Sequence, residues 1–332
     1  LSKELVTIER DVPIEQDWDA MEYDTWDRQK LAALFVELEF NTLGKRVLGE
    51  DFAELASGGE AGPPVELKTI ADVAHRYELV DTAEKRKDLI QQLSGLAAFC
   101  FDVETTGLDV KRCGLVGIAF SWEAHGGFYV PMPAERAKAL ALLEEFRPVF
   151  EGSAEKVGHN LKYDLGVLRW HGTIVSGPFF DTMLAAALID PDGRRGMDHL
   201  AQTLLNYQPI VISELIGEKG DEQLGMNLVP LDEIAEYAVE DADITWQLAE
   251  LFRENIEEMG QRRVFYEIEC PLIPVLVEME HEGVRMESEV LDAMARDFQD
   301  HIEETAARIY ELAGEQFNLN SGQQLGSILF EK

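Results

Sequence analysis

The 332-residue sequence has few cysteines, no long apolar run and few basic residues. Its three cysteines, at 100, 113 and 270, are too few for a disulfide framework, and none has the CxxC spacing of a zinc or redox site. Apolar runs such as 96–101 and 183–189 are far shorter than the roughly 18–20 residues that span a bilayer, and the first residues lack a signal peptide's pattern. We therefore expect a cytoplasmic protein without a membrane partner.

Basic residues are outnumbered by acidic ones, 29 against 64, which gives a net charge of −35. This charge by itself argues against a nucleic-acid-binding surface, because it repels phosphate. Three explanations stay open at this point. The carboxylates can recruit divalent metals that then contact phosphate, basic residues can lie on chain outside these 332 residues, or the source can be adapted to salt.

Changes in composition predict three domains. The first, residues 1–64, holds an amphipathic helix over 27–39 and ends in a glycine- and proline-rich linker at 56–64. The second, 65–260, alternates apolar runs with helical periodicity, which is typical of an α/β domain. The third, 261–332, has a wholly helical pattern.

Individual elements follow from the same patterns. Strands are predicted at 97–101, 115–120, 127–130 and 156–158, the first three adjacent in one sheet, and helices at 134–146, 161–170, 181–188 and 231–259. In the third domain, Gly283 and Gly314 have C-cap positions, and Pro271 and Pro274 predict a broken or kinked start to the first helix.

Two carboxylates follow the first apolar strand, in the segment Phe101-Asp102-Val103-Glu104-Thr105. Side chains two apart in a strand lie on one face, so Asp102 and Glu104 emerge together. Adjacent like charges at the end of a buried strand are costly unless a cation binds them. The alternative is that both carboxylates face water.

A third carboxylate follows the strand at 156–158, in the segment Asn160-Leu161-Lys162-Tyr163-Asp164. Asn160 has the position of a helix N-cap, and Asp164 lies one turn along the helix. A surface carboxylate near a helix N-terminus is the alternative interpretation.

The last candidates lie in Tyr237-Ala238-Val239-Glu240-Asp241-Ala242-Asp243, within a strongly helical segment. Tyr237 and Asp241 are four residues apart and share one helix face. Glu240 and Asp243 are expected to project elsewhere, into solvent.

Together these side chains form a set of oxygen donors. Carboxylate and hydroxyl oxygens suit Mg²⁺ or Mn²⁺ and not zinc. Two such ions about 3.5–4 Å apart can activate water and stabilise a leaving oxygen in phosphodiester hydrolysis. The sequence contains no P-loop, GxSxG, HExxH, EF-hand loop or dinucleotide fingerprint that would indicate another chemistry.

The three segments, in this order, resemble the three exonuclease motifs of bacterial DNA polymerase I of family A, in the tyrosine-bearing branch of the DEDD proofreading nucleases. The resemblance covers nearly the whole chain. Residues 1–39 are similar to the tail of the preceding 5′ nuclease domain, and residues 266–332 are similar to the first helices of the polymerase domain, the thumb. The sequence lacks the metal- and nucleotide-binding motifs of synthesis, so we expect it not to polymerise.

The resemblance implies a ribonuclease H-like exonuclease fold, an α/β architecture with a mixed sheet flanked by helices. It implies that Asp102, Glu104 and Asp241 hold one divalent ion, and that Asp102 also contacts a second. Asp164 would support the second ion through water, and Tyr237 would orient the attacking water.

The resemblance also implies contacts with the substrate. Leu108 corresponds to a leucine that wedges against the terminal base, Asn160 and Thr105 to residues that hold the strand, and Arg194 to a phosphate contact. Where relatives place an aromatic residue that stacks on the terminal base, this sequence has Val-Ile-Ser at 211–213, so that partner is unassigned.

The expected function is metal-dependent 3′-5′ exonuclease action on single-stranded DNA ends, releasing nucleoside monophosphates, by a monomer joined to the remainder of a polymerase chain. One alternative is a ribonuclease D-like RNA exonuclease, which shares the carboxylates. Another is a catalytically silent DNA-binding module, which relatives become by losing carboxylates that are all present here.

Overall fold

The computed structural model describes residues 27–38, 40–49, 52, 67–217 and 223–330. The chain forms two compact units, one made of residues up to Val73 together with Ala201–Pro209, the other of Ala74–Leu200 together with the chain from Ile210 onward. The predicted linker at 56–64 lies outside the described residues, and the division into three domains stays a prediction.

Among its described residues, the first unit includes the α-helices α1 (Arg28–Glu37) and α2 (Asn41–Leu48). Asp27 caps α1, since its side chain accepts a hydrogen bond from the backbone N–H of Lys30. A small apolar cluster stabilises this helical region: Ala32, Phe35, Leu48 and Phe52. The helix predicted at 27–39 is confirmed.

The second unit is built on a six-stranded sheet. Its strands in chain order are β1 (Arg76–Leu79), β2 (Ala98–Thr105), β3 (Leu115–Glu123), β4 (Gly126–Pro131), β5 (Glu155–Gly158) and β6 (Phe179–Asp181). The spatial order is β1-β4-β3-β2-β5-β6. Strands β2, β3 and β4 are antiparallel neighbours, whereas β1 joins β4, β5 joins β2 and β6 joins β5 in parallel, so the sheet is mixed.

Helices surround the sheet and extend beyond it. Within the described residues, the remaining α-helices of four or more residues are α3 (Ala83–Ser94), α4 (Arg136–Glu145), α5 (Arg147–Phe150), α6 (Leu161–Trp170), α7 (Thr182–Ile189), α8 (Met197–Leu200), α9 (Ile212–Ile216), α10 (Leu231–Glu258), α11 (Cys270–Glu282), α12 (Ser288–Ala313) and α13 (Gly322–Phe330). In the part of the chain that is described, no helix is both long enough and apolar enough to cross a membrane.

The predicted central strands and the long helices are confirmed. Strands β1 and β6 were not predicted from the sequence. Strand β1, Arg-Tyr-Glu-Leu, lies at the sheet edge and carries charges, and β6 has only three residues. A π-helical turn at Phe265–Glu269 precedes α11, as expected of a helix whose start carries prolines. The two C-cap glycines have positive φ, 68° at Gly283 and 75° at Gly314.

One face of the sheet is an aromatic core. Phe99 and Phe101 of β2 alternate with the acidic positions and point to this face. Phe101 packs edge-on against Phe150, with ring centroids 5.4 Å apart, and Phe120 of β3 stacks on Phe146 at 5.6 Å. These buried rings anchor β2, so its direction and register are fixed by apolar packing.

The opposite face is lined by small residues where α10 packs. On β3 this face carries Gly117, Ala119 and Ser121, and on β4 it carries Gly127. A Cβ atom added to Gly127 would lie 2.5 Å from a methyl carbon of Val239 in α10. The absence of side chains therefore lets the helix lie close against the sheet.

Asp243 connects α10 to the edge of the sheet. Its carboxylate accepts hydrogen bonds from the Tyr77 hydroxyl at 2.8 Å, the His125 backbone N–H at 2.9 Å and the Gln247 side-chain amide at 2.8 Å. Asp243 is 2 % exposed. The expectation that it projects into solvent is wrong, because β1 and the β3–β4 turn cover this side of the helix.

Glu240 is also buried, contrary to the same expectation. It is fully enclosed, and its carboxylate accepts a hydrogen bond of 2.7 Å from the backbone N–H of Ile210. Ile210, which precedes α9, lies against this part of α10, so the helix is covered on more sides than its charge pattern indicates.

We predict that Asp243→Ala lowers the free energy of unfolding by about 3 kcal/mol, because three donors lose their acceptor in a buried place. Urea denaturation followed by circular dichroism measures the change. Asp88→Ala, at an exposed position of α3, is the matched control and should change stability by less than about 0.5 kcal/mol. Equal stabilities of the two variants would contradict the structural role of Asp243.

Candidate active site

Strand β2 brings Asp102 and Glu104 to the face that α10 covers. In the antiparallel ladder Asp102 pairs with Ala119 and Glu104 pairs with Gly117, so both carboxylates stand beside positions that carry little or no side chain. The register shifts between Glu104 and Thr105, where the regular ladder ends. The predicted placement of the two carboxylates on one face is confirmed.

Helix α6 brings Asp164 against the same strand. Its Oδ1 atom accepts a hydrogen bond of 3.1 Å from the backbone N–H of Val103, the residue between the two β2 carboxylates. Asp164 is 3 % exposed. A carboxylate that is 61 residues away along the chain is therefore fixed beside Asp102 and Glu104.

Asp181 stabilises the start of α6. Its carboxylate accepts hydrogen bonds from the backbone N–H groups of Asn160 and Leu161, at 3.2 and 2.9 Å, and of Met183 and Leu184, at 2.8 and 3.2 Å. Asn160 occupies the N-cap position as predicted, but its side chain makes no capping hydrogen bond and its φ is +62°. Asp181 serves the N-termini of α6 and α7 together, which leaves the Asn160 side chain available at the surface.

Helix α10 contributes Tyr237 and Asp241, one turn apart as predicted. Asp241 is 9 % exposed, and its Oδ1 atom is buried without a hydrogen-bond partner among the described groups. The Tyr237 hydroxyl interacts with the Asp241 carboxylate. Burial, and then the negative charge of Asp241, raise the pKa of the Tyr237 phenol.

Burial, and the charge of Asp102 acting on the other three groups, dominate the electrostatics of the four carboxylates. Burial raises the pKa of Asp102 to about 6. Burial, and then the charge of Asp102, raise the pKa of Glu104 and of Asp164 well above the usual range of a carboxyl group. The pKa of Asp241 is raised by burial and then by the charges of Asp102 and Glu104. The charge of Asp102 therefore acts on each of the other three carboxylates across a poorly solvated volume.

Among the described residues, no three acidic, histidine or cysteine side chains converge in a geometry that could hold a metal ion. The carboxylates are neighbours because β2 carries two of them, the Val103 N–H holds Asp164 and α10 packs on the same strand, but ligation would require side-chain rotations that bring their oxygens closer together. The chemical character of the set fits a hard divalent ion, because all donors are oxygens and the Asp241 Oδ1 atom is buried without a partner among the described groups.

The residues predicted to contact substrate differ in their exposure and in their hydrogen bonds. Leu108 follows β2 in a loop and is 85 % exposed. The Thr105 hydroxyl is engaged with the Tyr163 hydroxyl at 2.6 Å and with the Gly107 carbonyl at 3.0 Å. Arg194 is exposed in the segment before α8. The functional roles of these residues and of the five central ones stay predictions.

The sequence patterns assigned no role to two tyrosines near the site. Tyr163 of α6 donates a hydrogen bond of 3.1 Å to the Gly107 carbonyl and so holds the loop that carries Leu108. Tyr129 of β4 is fully buried, with its hydroxyl near the β2 carboxylates. Tyr163 lies inside the second motif and was within reach of sequence reasoning, whereas Tyr129 gives no signal other than strand periodicity.

Known proteins share sequence similarity with this chain. A family model described as 3′-5′ exonuclease matches residues 77–257. Curated relatives include DNA polymerase I of Chloroflexus aurantiacus, 34 % identical over 99 % of this chain and 38 % of the relative. DNA polymerase I of Pseudomonas aeruginosa is 31 % identical over 100 % of this chain and 37 % of the relative. The chain thus spans little more than a third of the length of these relatives.

Two solved structures have a similar fold. The POL domain of Pol1 from M. smegmatis, in complex with DNA primer-template and dNTP, has a TM-score of 0.61 at 21 % identity, covering 76 % of this chain and 40 % of that one. Brucella melitensis NrnC with bound Mg²⁺ has a TM-score of 0.50 at 21 % identity, covering 64 % of this chain and 95 % of that one. These likenesses confirm the α/β exonuclease fold with its mixed sheet. With the family match and the relatives of over 30 % identity, they lead to one conclusion: the chain belongs to the DNA polymerase I family, and residues 77–257 form the 3′-5′ exonuclease domain of that family.

Proposed function

We propose that this chain hydrolyses phosphodiester bonds at the 3′ ends of single-stranded DNA with the help of two divalent metal ions. The observation that carries the proposal is the meeting of Asp102, Glu104, Asp164 and Asp241 on one buried sheet face. Buried carboxylates of which three have their pKa raised by the charge of Asp102 are costly to the fold, and cation binding is the function that such an arrangement serves best.

Asp102, Glu104, Asp164 and Asp241 would hold the ions, Mg²⁺ or Mn²⁺, for which oxygen donors are suited. Bound there, two ions supply an activated water and stabilise negative charge on the leaving oxygen. Mg²⁺ is bound in the solved structure of B. melitensis NrnC, which supports this choice of metal for a similar fold.

The chain's own residues would position the reacting groups. The Val103 N–H holds Asp164 against β2, so that this carboxylate stays beside Asp102. Tyr237, whose hydroxyl interacts with Asp241, would orient the attacking water by a hydrogen bond. The phenol donates its proton in a hydrogen bond to the Asp241 carboxylate, so its oxygen would accept a hydrogen bond from the water.

The substrate would approach along the exposed loop after β2. Leu108 would contact the terminal base, and Thr105, Asn160 and Arg194 would hold the strand and its phosphates. DNA is the favoured substrate class because the relatives are DNA polymerases and the M. smegmatis Pol1 structure contains a DNA primer-template. Against a net charge of −35, metal ions would also offset repulsion of the phosphates.

We predict that Asp102→Ala and Asp241→Ala each lower the hydrolysis of a 5′-labelled single-stranded DNA in Mg²⁺ by at least about 100-fold, because each removes a metal ligand. Both variants should keep the fold, since loss of a carboxylate relieves repulsion. Asp88→Ala is the matched control and should retain wild-type rates. An RNA oligonucleotide of the same sequence tests the substrate class.

Activity of either variant near that of the wild type would contradict the metal assignment. Faster cleavage of the RNA than of the DNA would instead contradict the choice of substrate and favour the ribonuclease alternative. Chelation of metal by EDTA should stop cleavage by the wild-type chain.

We predict a pH-dependent stability of the metal-free chain. A carboxyl whose pKa is higher in the folded than in the unfolded state stabilises the fold at low pH, and this contribution is lost as the pH rises through the folded pKa. Because the pKa of Asp102 is raised from 3.8 to about 6, the free energy of unfolding should fall between about pH 4 and pH 6. Urea titrations in EDTA measure it.

The matched variants Asp102→Asn and Asp88→Asn separate the site from the rest of the surface. Asp102→Asn should reduce the loss of stability over this pH range, whereas Asp88→Asn should leave it unchanged. Mg²⁺ should raise stability at the upper end of the range, because it binds the ionised carboxylates of the folded state. A metal-free stability that rises across this range would show that the cluster is not strained by its charge.

We predict that Tyr237→Phe lowers kcat by about 10- to 100-fold with little change in DNA binding, because the ring remains and only the water-orienting hydroxyl is lost. Single-turnover kinetics at saturating DNA measure the effect. Tyr310→Phe is the control, because the Tyr310 ring packs against Phe317, outside residues 77–257. Equal rates for Tyr237→Phe and the wild type would assign the tyrosine to packing alone.

A further inference from the structure

Tyr129 has a hydroxyl whose position the rest of the fold leaves unexplained. The residue is fully buried in β4, and its phenolic oxygen makes no hydrogen bond to any described group. A buried hydroxyl without a partner costs about 1–3 kcal/mol, so such groups are few in folded proteins. A phenylalanine would fill the same space without this cost.

The sheet register points the Tyr129 side chain toward the carboxylates. Tyr129 pairs with Ala119, and Ala119 pairs on its other side with Asp102, so the three residues form one row on the face that α10 covers. The next row on this face contains Glu104, Gly117 and Pro131. Tyr129 is thus one strand removed from the β2 carboxylates.

Gly117 provides the space that the Tyr129 ring needs to extend from its own row into the row that contains Glu104. A Cβ atom added to Gly117 would lie 2.0 Å from the Tyr129 hydroxyl oxygen and 2.2 Å from the ring carbon that bears it. The hydroxyl therefore lies directly above the backbone of Gly117, the cross-strand partner of Glu104. Cβ positions of paired residues are about 4.5–5.5 Å apart, a distance that a glutamate side chain spans.

The charges around the hydroxyl agree with this placement. The pKa of Tyr129 is raised by burial and then by the negative charges of Glu104 and Asp102. The phenol consequently keeps its proton and can act only as a donor toward a carboxylate. Glu104 is 7 % exposed and is the cross-strand partner of Gly117, over which the hydroxyl lies.

We infer that Tyr129 is a positioning residue for the metal site: its hydroxyl donates a hydrogen bond to the Glu104 carboxylate when Glu104 turns to bind a cation. One carboxylate oxygen then faces the ion while the other is held by the phenol. This inference rests on the proposed function, and it adds a residue of β4 to a site otherwise built from β2, α6 and α10.

The test compares Mn²⁺ binding and stability in two matched variants. Tyr129→Phe should weaken Mn²⁺ binding, measured by isothermal titration calorimetry without DNA, by about 10-fold or more, because loss of a hydrogen-bond partner of a ligand has this effect. Its metal-free stability should stay equal or rise, since the lost hydroxyl had no partner among the described groups. The Tyr77 hydroxyl donates a hydrogen bond to Asp243, so the Tyr77→Phe variant should lose stability and keep its Mn²⁺ affinity.

Hydrolysis provides the second readout. At low Mn²⁺ the Tyr129→Phe variant should cleave single-stranded DNA more slowly than the wild type, and the deficit should shrink as the Mn²⁺ concentration rises. Tyr77→Phe should show no such dependence on metal concentration. A merely structural role of Tyr129 would change stability and leave the metal dependence as it is.

The outcomes separate this inference from the proposed function. Unchanged Mn²⁺ affinity in Tyr129→Phe, with a wild-type chain that binds Mn²⁺ and cleaves DNA, would overturn the inference alone. A loss of metal-free stability as large as that of Tyr77→Phe would also overturn it, because the hydroxyl would then serve the fold. A wild-type chain that binds no Mn²⁺ would overturn the proposed function and the inference together.

Discussion

The burial of like charges against one face of a sheet is the constraint on which this structure depends. Asp102 is held close enough to Glu104, Asp164 and Asp241 to raise the pKa of each, in surroundings that solvate all four carboxylates poorly. Such an arrangement is unfavourable by itself. It persists because each carboxylate belongs to an element that is anchored elsewhere.

The anchoring is apolar on one side of the sheet and polar at its edges. The aromatic core of Phe99, Phe101 and their partners fixes β2 from behind, so the acidic face cannot rotate away. On the other face, Asp243 joins α10 to the sheet edge, and Arg253 lies over the ring of Phe180 with its guanidinium carbon 4.4 Å from the ring centroid. The helix that carries Tyr237 and Asp241 is therefore held at several points along its length.

Small residues on β3 and β4 decide how close that helix comes. Gly117, Ala119 and Gly127 remove side chains where α10 and the Tyr129 ring must lie. A Cβ atom at Gly127 would meet Val239, so a larger residue there would push α10 outward, whereas one at Gly117 would meet the Tyr129 ring. The acidic cluster is thus a property of the whole face, including residues that carry no charge.

Within the described residues, local patterns of the sequence determined the central strands, the long helices and the pairing of functional side chains along each element. The two-residue spacing of Asp102 and Glu104 and the four-residue spacing of Tyr237 and Asp241 follow from strand and helix geometry alone. Local pattern failed for the short edge strands β1 and β6, where charge and length hide the periodicity.

Only the tertiary structure decided which groups become buried partners. The helical sequence pattern predicts that Asp243 and Glu240 face solvent. In the structure Asp243 accepts a hydrogen bond from Tyr77 and Glu240 accepts one from Ile210, and each donor is at least 30 residues away along the chain. Asp181 proved to cap α6 in place of the Asn160 side chain, and Tyr129 proved to extend over Gly117 toward Glu104. These contacts join residues distant in the chain, and spacing along the sequence carries no information about distances that are set by packing.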